Sequence, residues 1–313
     1  MRATLAAFLL LASPAAAEVP KVVTDIPVVQ SLVAQVMGDL GQPDVLVPAG
    51  GNAHNYQMRP SDAGHLQDAD LVFWIGPAMT PWLERGLASA DHATVVALLD
   101  APGTHRRDFG AAGPDGHDHE GQDHEAESHD HEAEGAHTHE GVDPHAWLDP
   151  ANARLWLGVI AGELSALDPA NAAAYAANAS AASAAIAATD TEVAATLAAA
   201  PRKPVVMFHD AYGYFAEHYG VEIVSTIALG DAAAPGAARL ESIRHQLEHE
   251  GVACIFPEAQ HDPKLAQTLI EGTPVRLGAP LDPSGSATEP GPDLYQRVLR
   301  NLGTGIADCL SGR

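Results

Sequence analysis

From Asp168-Pro169 to Ala199 the chain is dominated by alanine, with no glycine and no proline after Pro169. Alanine gives up no side-chain freedom on entering a helix, and nothing in the segment breaks one. Asp168 reads as the N-cap, with proline at the first helical position. The segment predicts a single helix of about 30 residues, which would run about 45 Å. That exceeds what one small domain can cover, so residues 166–200 are expected to be a rigid strut between two domains. At 313 residues, 46% hydrophobic and 18% charged, the chain can supply a core to each.

The flanks of the strut alternate in the same way. Strand-length apolar runs start at Lys21-Val-Val-Thr-Asp-Ile, Asp44-Val-Leu-Val, Ala69-Asp-Leu-Val-Phe-Trp-Ile-Gly and Thr94-Val-Val-Ala-Leu. Val28, Val29, Leu32, Val33 and Val36 sit at helical spacing and are stopped by Gly38, and 77–90 is also expected to be helical. After the strut, Pro204-Val-Val-Met-Phe, Val221-Glu-Ile-Val, Ala253-Cys-Ile-Phe-Pro and Val275-Arg-Leu read as strands. Helices are expected between them near 211–218, 236–250 and 263–271. The expected architecture is α/β: two parallel-sheet domains, 18–165 and 201–313, joined by one long backbone helix. A ligand site then belongs in the cleft between the domains.

Residues 1–17, MRATLAAFLLLASPAAA, carry one arginine, a short apolar run and an Ala-x-Ala ending. This is the pattern of a cleaved secretory signal peptide, and the run is well short of the ~20 residues a membrane span needs. The mature chain is expected to be exported, without direct membrane insertion. The formal charge of −25 excludes nucleic acid as a partner, since phosphate binding needs the opposite sign. The two cysteines, Cys254 and Cys309, read as one disulfide in an oxidising compartment, with two buried free thiols as the other reading. Closing a loop of about 55 residues contributes on the order of 4 kcal/mol in the chain-entropy model.

Histidine is the outlier, at 17 residues against 16 Lys plus Arg. Neutral imidazole is the commonest ligand for zinc-like ions, so metal binding is the first question. Seven histidines (His117, His119, His124, His129, His131, His137 and His139) fall within 108–144, a segment with no Lys, Arg or aromatic residue between Gly110 and Pro144. Such a segment cannot bury enough apolar surface to offset its ordering entropy, so it is expected to be a disordered loop offering weak auxiliary metal sites. Its alternative role is a solvated acidic spacer. Three other histidines stand at ends of expected strands or just before helices, where α/β sheets place binding residues. His54 lies in a glycine-rich turn, His145 between two prolines, and His209 directly after a buried strand. Taken singly, each could equally be a hydrogen-bonded structural histidine.

The segments Asn52-Ala-His-Asn-Tyr-Gln-Met-Arg-Pro-Ser-Asp, Asp143-Pro-His-Ala-Trp-Leu-Asp-Pro and Phe208-His-Asp-Ala-Tyr-Gly-Tyr-Phe resemble the metal-binding blocks of the cluster A-I solute-binding proteins. These are periplasmic receptors of zinc and manganese ABC importers. Phe256-Pro-Glu-Ala-Gln and Leu281-Asp-Pro-Ser-Gly match two further blocks, and the likeness runs from about 20 to 310. The resemblance implies His54, His145 and His209 as ligands, and histidine at the third place points to the zinc branch. That branch also carries a His-rich loop before the second ligand and a disulfide where Cys254 and Cys309 stand. The fourth place falls in Gln260-His-Asp-Pro, with Asp262 as the candidate, His261 behind it, or water. Asn52 and Ala53 offer no carboxylate ahead of His54.

The resemblance further implies a periplasmic monomer that takes Zn²⁺ as its cargo and hands it to an inner-membrane ABC zinc permease. A periplasmic metallochaperone is a further candidate partner. Two other functions would use the same ligands: a zinc hydrolase, with three histidines plus water, or a zinc buffer working without a transporter. The hydrolase would need a general base and a substrate pocket beside the metal, and no metalloprotease or nucleophile-elbow motif occurs. The expectation is a receptor and not an enzyme.

Overall fold

The computed structural model describes residues 19–88, 90–109, 141–228 and 235–313. The expected signal segment 1–17 lies outside the described residues.

In the N-terminal lobe, β1 (Val22–Thr24), β2 (Asp44–Val45), β3 (Leu71–Trp74) and β4 (Thr94–Ala97) pair in parallel in the order β2-β1-β3-β4. Helices α1 (Pro27–Met37), α2 (Pro60–Asp68) and α3 (Leu83–Leu87) connect them. Pro27 opens α1, and Gly38 closes it at φ 57° with its N–H donating to the Ala34 carbonyl. Val28, Val29, Leu32, Val33 and Val36 are all fully buried, because α1 is covered by the sheet on one side and by later helices on the other. All four residues of β3 are buried, which explains its unbroken apolar run.

Two helices follow, α4 (Pro150–Leu167) and α5 (Ala172–Ala198). The long helix is present at 27 residues and begins later than the sequence suggests. Asp168 precedes a proline and is pushed out of helical geometry, to φ −129° and ψ 75°, so α4 ends there and a single 3₁₀ turn (Pro169–Asn171) intervenes. The Asp168 carboxylate caps nothing on α5. It accepts hydrogen bonds from Asn171 Nδ2 at 2.7 Å and Tyr175 Oη at 2.9 Å. The Asn171 bond, with Tyr175 in support, holds its pKa below the usual carboxylate value.

The C-terminal lobe repeats the plan. β5 (Val205–Met207), β6 (Ile223–Thr226), β7 (Cys254–Ile255) and β8 (Arg276–Leu277) form a second parallel sheet in the order β6-β5-β7-β8. Helices α6 (Gly213–Tyr219), α7 (Ala237–His249) and α8 (Lys264–Ile270) link its strands, and α9 (Leu294–Ser311) closes the chain. α9 buries Leu294, Val298, Leu302 and Ile306 along one face and packs on α5 and α1. A disulfide joins Cys254 of β7 to Cys309 of α9.

One hydrophobic cluster runs through both lobes, from Val22 and Leu32 through Trp156, Tyr175 and Ile186 to Val205, Phe256 and Leu302. Smaller clusters lie under the outer helices of each sheet. The lobes therefore share a core along α1, α4, α5 and α9. Among the described residues, no helix is long and apolar enough to cross a membrane.

Candidate metal centre

His54 and His209 stand in the chain that follows parallel strands, and His145 at the start of a helical turn, positions where α/β folds place binding side chains. After β2, the loop carrying His54 is pinned from three sides. Asn52 Oδ1 accepts the His54 N–H at 2.9 Å, Trp82 Nε1 donates to the Ala53 carbonyl at 2.7 Å, and Gly50 N–H reaches across to the Ser286 carbonyl at 2.8 Å. His145 stands just before the 3₁₀ turn Ala146–Leu148 that leads into α4, which Asp149 caps by accepting from Ala151 N. His209 lies two residues past β5.

These three histidines, two from the N-terminal lobe and one from the C-terminal lobe, converge. One ring nitrogen of each lies within 4.8 Å of one in the others. The Nε2 atoms of His54 and His145 are 3.2 Å apart. Two imidazoles on one tetrahedral zinc, with Zn–N near 2.0–2.1 Å, hold their nitrogens about 3.3 Å apart, so the spacing already matches a shared ion.

Buried carboxylates fix the rings from behind. Asp143 Oδ1 receives His145 Nδ1 at 2.8 Å, and Glu258 Oε1 receives His209 Nδ1 at 2.6 Å and Tyr212 Oη at 2.9 Å. An ionised carboxylate only accepts, so the proton resides on Nδ1 and the Nε2 lone pair faces the centre. The cavity between them is about 20 Å³ and is lined by His54, His145, His209, Glu258, Gln260 and Ser284 among others. That is on the order of the space one or two water-sized particles occupy, enough for an ion with a water.

Residues 22–309 match the family described as zinc-uptake complex component A, periplasmic. The chain belongs to this family. Among its relatives, the high-affinity zinc uptake system protein ZnuA of Paracoccus denitrificans is 54% identical over 312 residues, covering 96% of this chain and 94% of that protein. The protein of the same description from Brucella suis is 39% identical over 315 residues, at 96% and 94% coverage. In fold, the chain is similar to the solute-binding protein FpvC of Pseudomonas aeruginosa, solved with Mn²⁺. The TM-score is 0.77 at 23% identity, covering 94% of this chain and 99% of that one.

Asp262, the candidate for the fourth place, stands apart from the cluster of three histidines. The Asp262 side chain is 61% exposed and pairs with Lys264 Nζ at 3.2 Å. The Lys264 backbone N–H, its largest influence, and then the Lys264 ammonium hold the Asp262 carboxyl below its ordinary value. His261 stacks on Phe208 with ring centroids 4.2 Å apart, away from the three ligands. A tight turn, in which His261 N–H donates to the Glu258 carbonyl, directs the chain outward after Glu258. Glu258 and Gln260 are the residues of this block that line the cavity, with Glu258 behind the His209 ring, and sequence reasoning gave neither a role. Asp143 was also passed over, although it stands two residues before His145 in the same block.

His117, His119, His124, His129, His131, His137 and His139 lie outside the described residues. The chain on either side of them comes together, with Asp108 and Val142 in an antiparallel bridge and Phe109 N–H donating to the Gly141 carbonyl.

Proposed function

We propose that the protein is a periplasmic receptor that captures Zn²⁺ between its lobes through His54, His145 and His209. It would then deliver the ion to an inner-membrane ABC permease. The convergence of three imidazoles, two of them oriented by buried carboxylates, carries this reading. Three nitrogens with an open fourth place suit zinc better than an octahedral, oxygen-seeking ion. With Asp262 turned to solvent, the fourth place goes to water. Export through residues 1–17 puts the receptor in the periplasm, where it acts as a monomer.

The small cavity also favours a receptor over an enzyme. About 20 Å³ beside the ligands leaves little room for an ester, peptide or phosphate group, and the adjacent carboxylate, Glu258, is engaged by His209 and Tyr212. Native mass spectrometry under graded chelator competition tests the reading. One zinc should be retained at chelator strengths that strip manganese, and His209→Ala should lose that tight ion. Retention of the tight ion by His209→Ala would overturn the ligand set. The zinc-loaded protein should turn over no ester, peptide or phosphate substrate.

A further inference from the structure

We propose that Arg107 is a positioning residue that makes the orientation of His145 depend on how the two lobes are seated. The inference rests on the three-histidine reading above. Arg107 belongs to the N-terminal lobe and its side chain is 8% exposed. Its Nη1 donates to Asp143 Oδ2 at 3.0 Å, while Asp143 Oδ1 accepts the backbone N–H of His145 at 3.0 Å and its Nδ1 at 2.8 Å. One carboxylate thus joins the guanidinium to the ligand.

The seat of that guanidinium is in the other lobe. It lies over the first turn of α6, where a Cβ on Gly213 would come within 1.3 Å of Nη1 and 2.2 Å of Cζ. Gly213 has no positive φ, so the backbone does not call for glycine there; the space does. Tyr214, the next residue, packs its ring 5.7 Å from Arg107 Cζ. Its hydroxyl accepts the Arg107 backbone N–H at 3.0 Å and donates to the Asp143 carbonyl at 2.9 Å. Glu217 Oε2 faces Arg107 Nε at 3.8 Å.

α6 starts four residues after His209, so the segment that delivers the third ligand also carries the seat. Bringing His209 to the centre places Arg107 on Asp143, and Asp143 holds the His145 ring. If the lobes part, His209 withdraws and Arg107 loses its support together. Zinc would then be released by one movement instead of three independent ligand exchanges.

The test is zinc release from the full-length protein to excess chromogenic chelator, in which the slow phase reports the cleft site. Arg107→Ala should release zinc faster, by at most the about 10–100-fold expected for losing the Asp143 carboxylate behind the ligand itself. Arg107→Lys, which keeps a cation for Asp143, should fall between that variant and wild type. Gly213→Ala alters no ligand and no charge, yet should release as fast as Arg107→Ala, because its methyl displaces the guanidinium. The double variant should be no faster than Arg107→Ala alone, since the methyl then enters vacated space. Two effects that multiply, or wild-type release from Gly213→Ala, would overturn the assignment. Thermal unfolding of each metal-free variant separates this from general loosening, which would track lowered stability and would add. If Arg107→Ala does not fold, Arg107→Lys replaces it in the cycle. His209→Ala runs alongside. A slow phase surviving in that variant breaks the three-histidine reading itself, whereas its loss beside an additive Arg107–Gly213 pair sinks the Arg107 assignment alone.

Discussion

His145 and His65 each place Nδ1 on an aspartate at 2.8–2.9 Å, yet their situations differ. The His65–Asp44 pair is exposed on both sides, at 46% and 60%, whereas Asp143 is fully buried and His145 nearly so. An exposed pair is solvated and contributes little. A buried one fixes a tautomer and a ring plane, which a metal site requires. Glu258→Gln keeps an oxygen for His209 Nδ1 but removes the charge behind it. Zinc affinity by competitive titration should fall about 10–100-fold with the fold intact. His54 and His209 follow strand-length runs and His145 stands just before a helix, but position left each open. The likeness of the blocks around them to the metal-binding blocks of the family is what made the three legible. Glu258 was not, since only the backbone turn after it decides which residue of 258–262 faces inward. Asp25, at the end of β1, gives a pH prediction. It is fully buried and accepts from Ile26 N, Ile75 N and Thr80 Oγ1, and burial pushes its carboxyl from 3.8 up to about 7 despite those bonds. A raised pKa contributes stability that is complete below the unfolded value and is lost as pH rises through about 7. The metal-free protein should therefore melt at a lower temperature above pH ~8 than below pH ~6. That slope should flatten in Asp25→Asn, and an unchanged slope would assign the effect elsewhere.

α5 packs against α1, α4 and α9, which is why an alanine-rich sequence serves it. Short side chains let several helices approach one axis. α9 comes close to α5 at Gly303, where a Cβ would lie 2.7 Å from Val193 Cγ1. Gly303→Val should force the helices apart and cost about 1–3 kcal/mol by overpacking, read from denaturant unfolding of the metal-free protein. Zinc binding should survive, because no ligand sits on either helix; an undiminished midpoint would mean the interface yields freely. The existence of α5 was plain from propensity, whereas its start was not, because Pro169 acts on the residue before it. α4 and α9 escaped the sequence reading although both leave marks. Asp149-Pro150 is a cap followed by a first-turn proline, and Leu294, Val298, Leu302 and Ile306 repeat at helical spacing. Strand-and-helix alternation drew attention to the sheets and away from helices that pack between lobes.

A formal charge of −25 surrounds a site built for a cation, and such a field raises the encounter rate with divalent ions while screening by salt lowers it. Much of that charge is concentrated between Asp115 and Glu140, where seven histidines stand among ten acidic residues. This density of imidazoles and carboxylates suits weak, multiple metal capture. The flanks of the segment are already joined at Asp108–Val142, and no member of the His54–His145–His209 cluster lies within it. Deleting 115–140 should therefore leave the fold and the tight zinc event untouched. The cleft lies between lobes that share one core, so its geometry does not depend on the deleted chain. Calorimetric titration of the intact protein should show one tight event followed by weaker ones, and the shortened protein only the first. Association with the cleft should also slow in the shortened form, and its rate should depend less steeply on ionic strength, because ten acidic residues have gone. If the shortened protein titrates like the intact one, the histidines of the segment take no part in binding, and the remaining acidic surface alone accounts for the attraction of metal to the cleft.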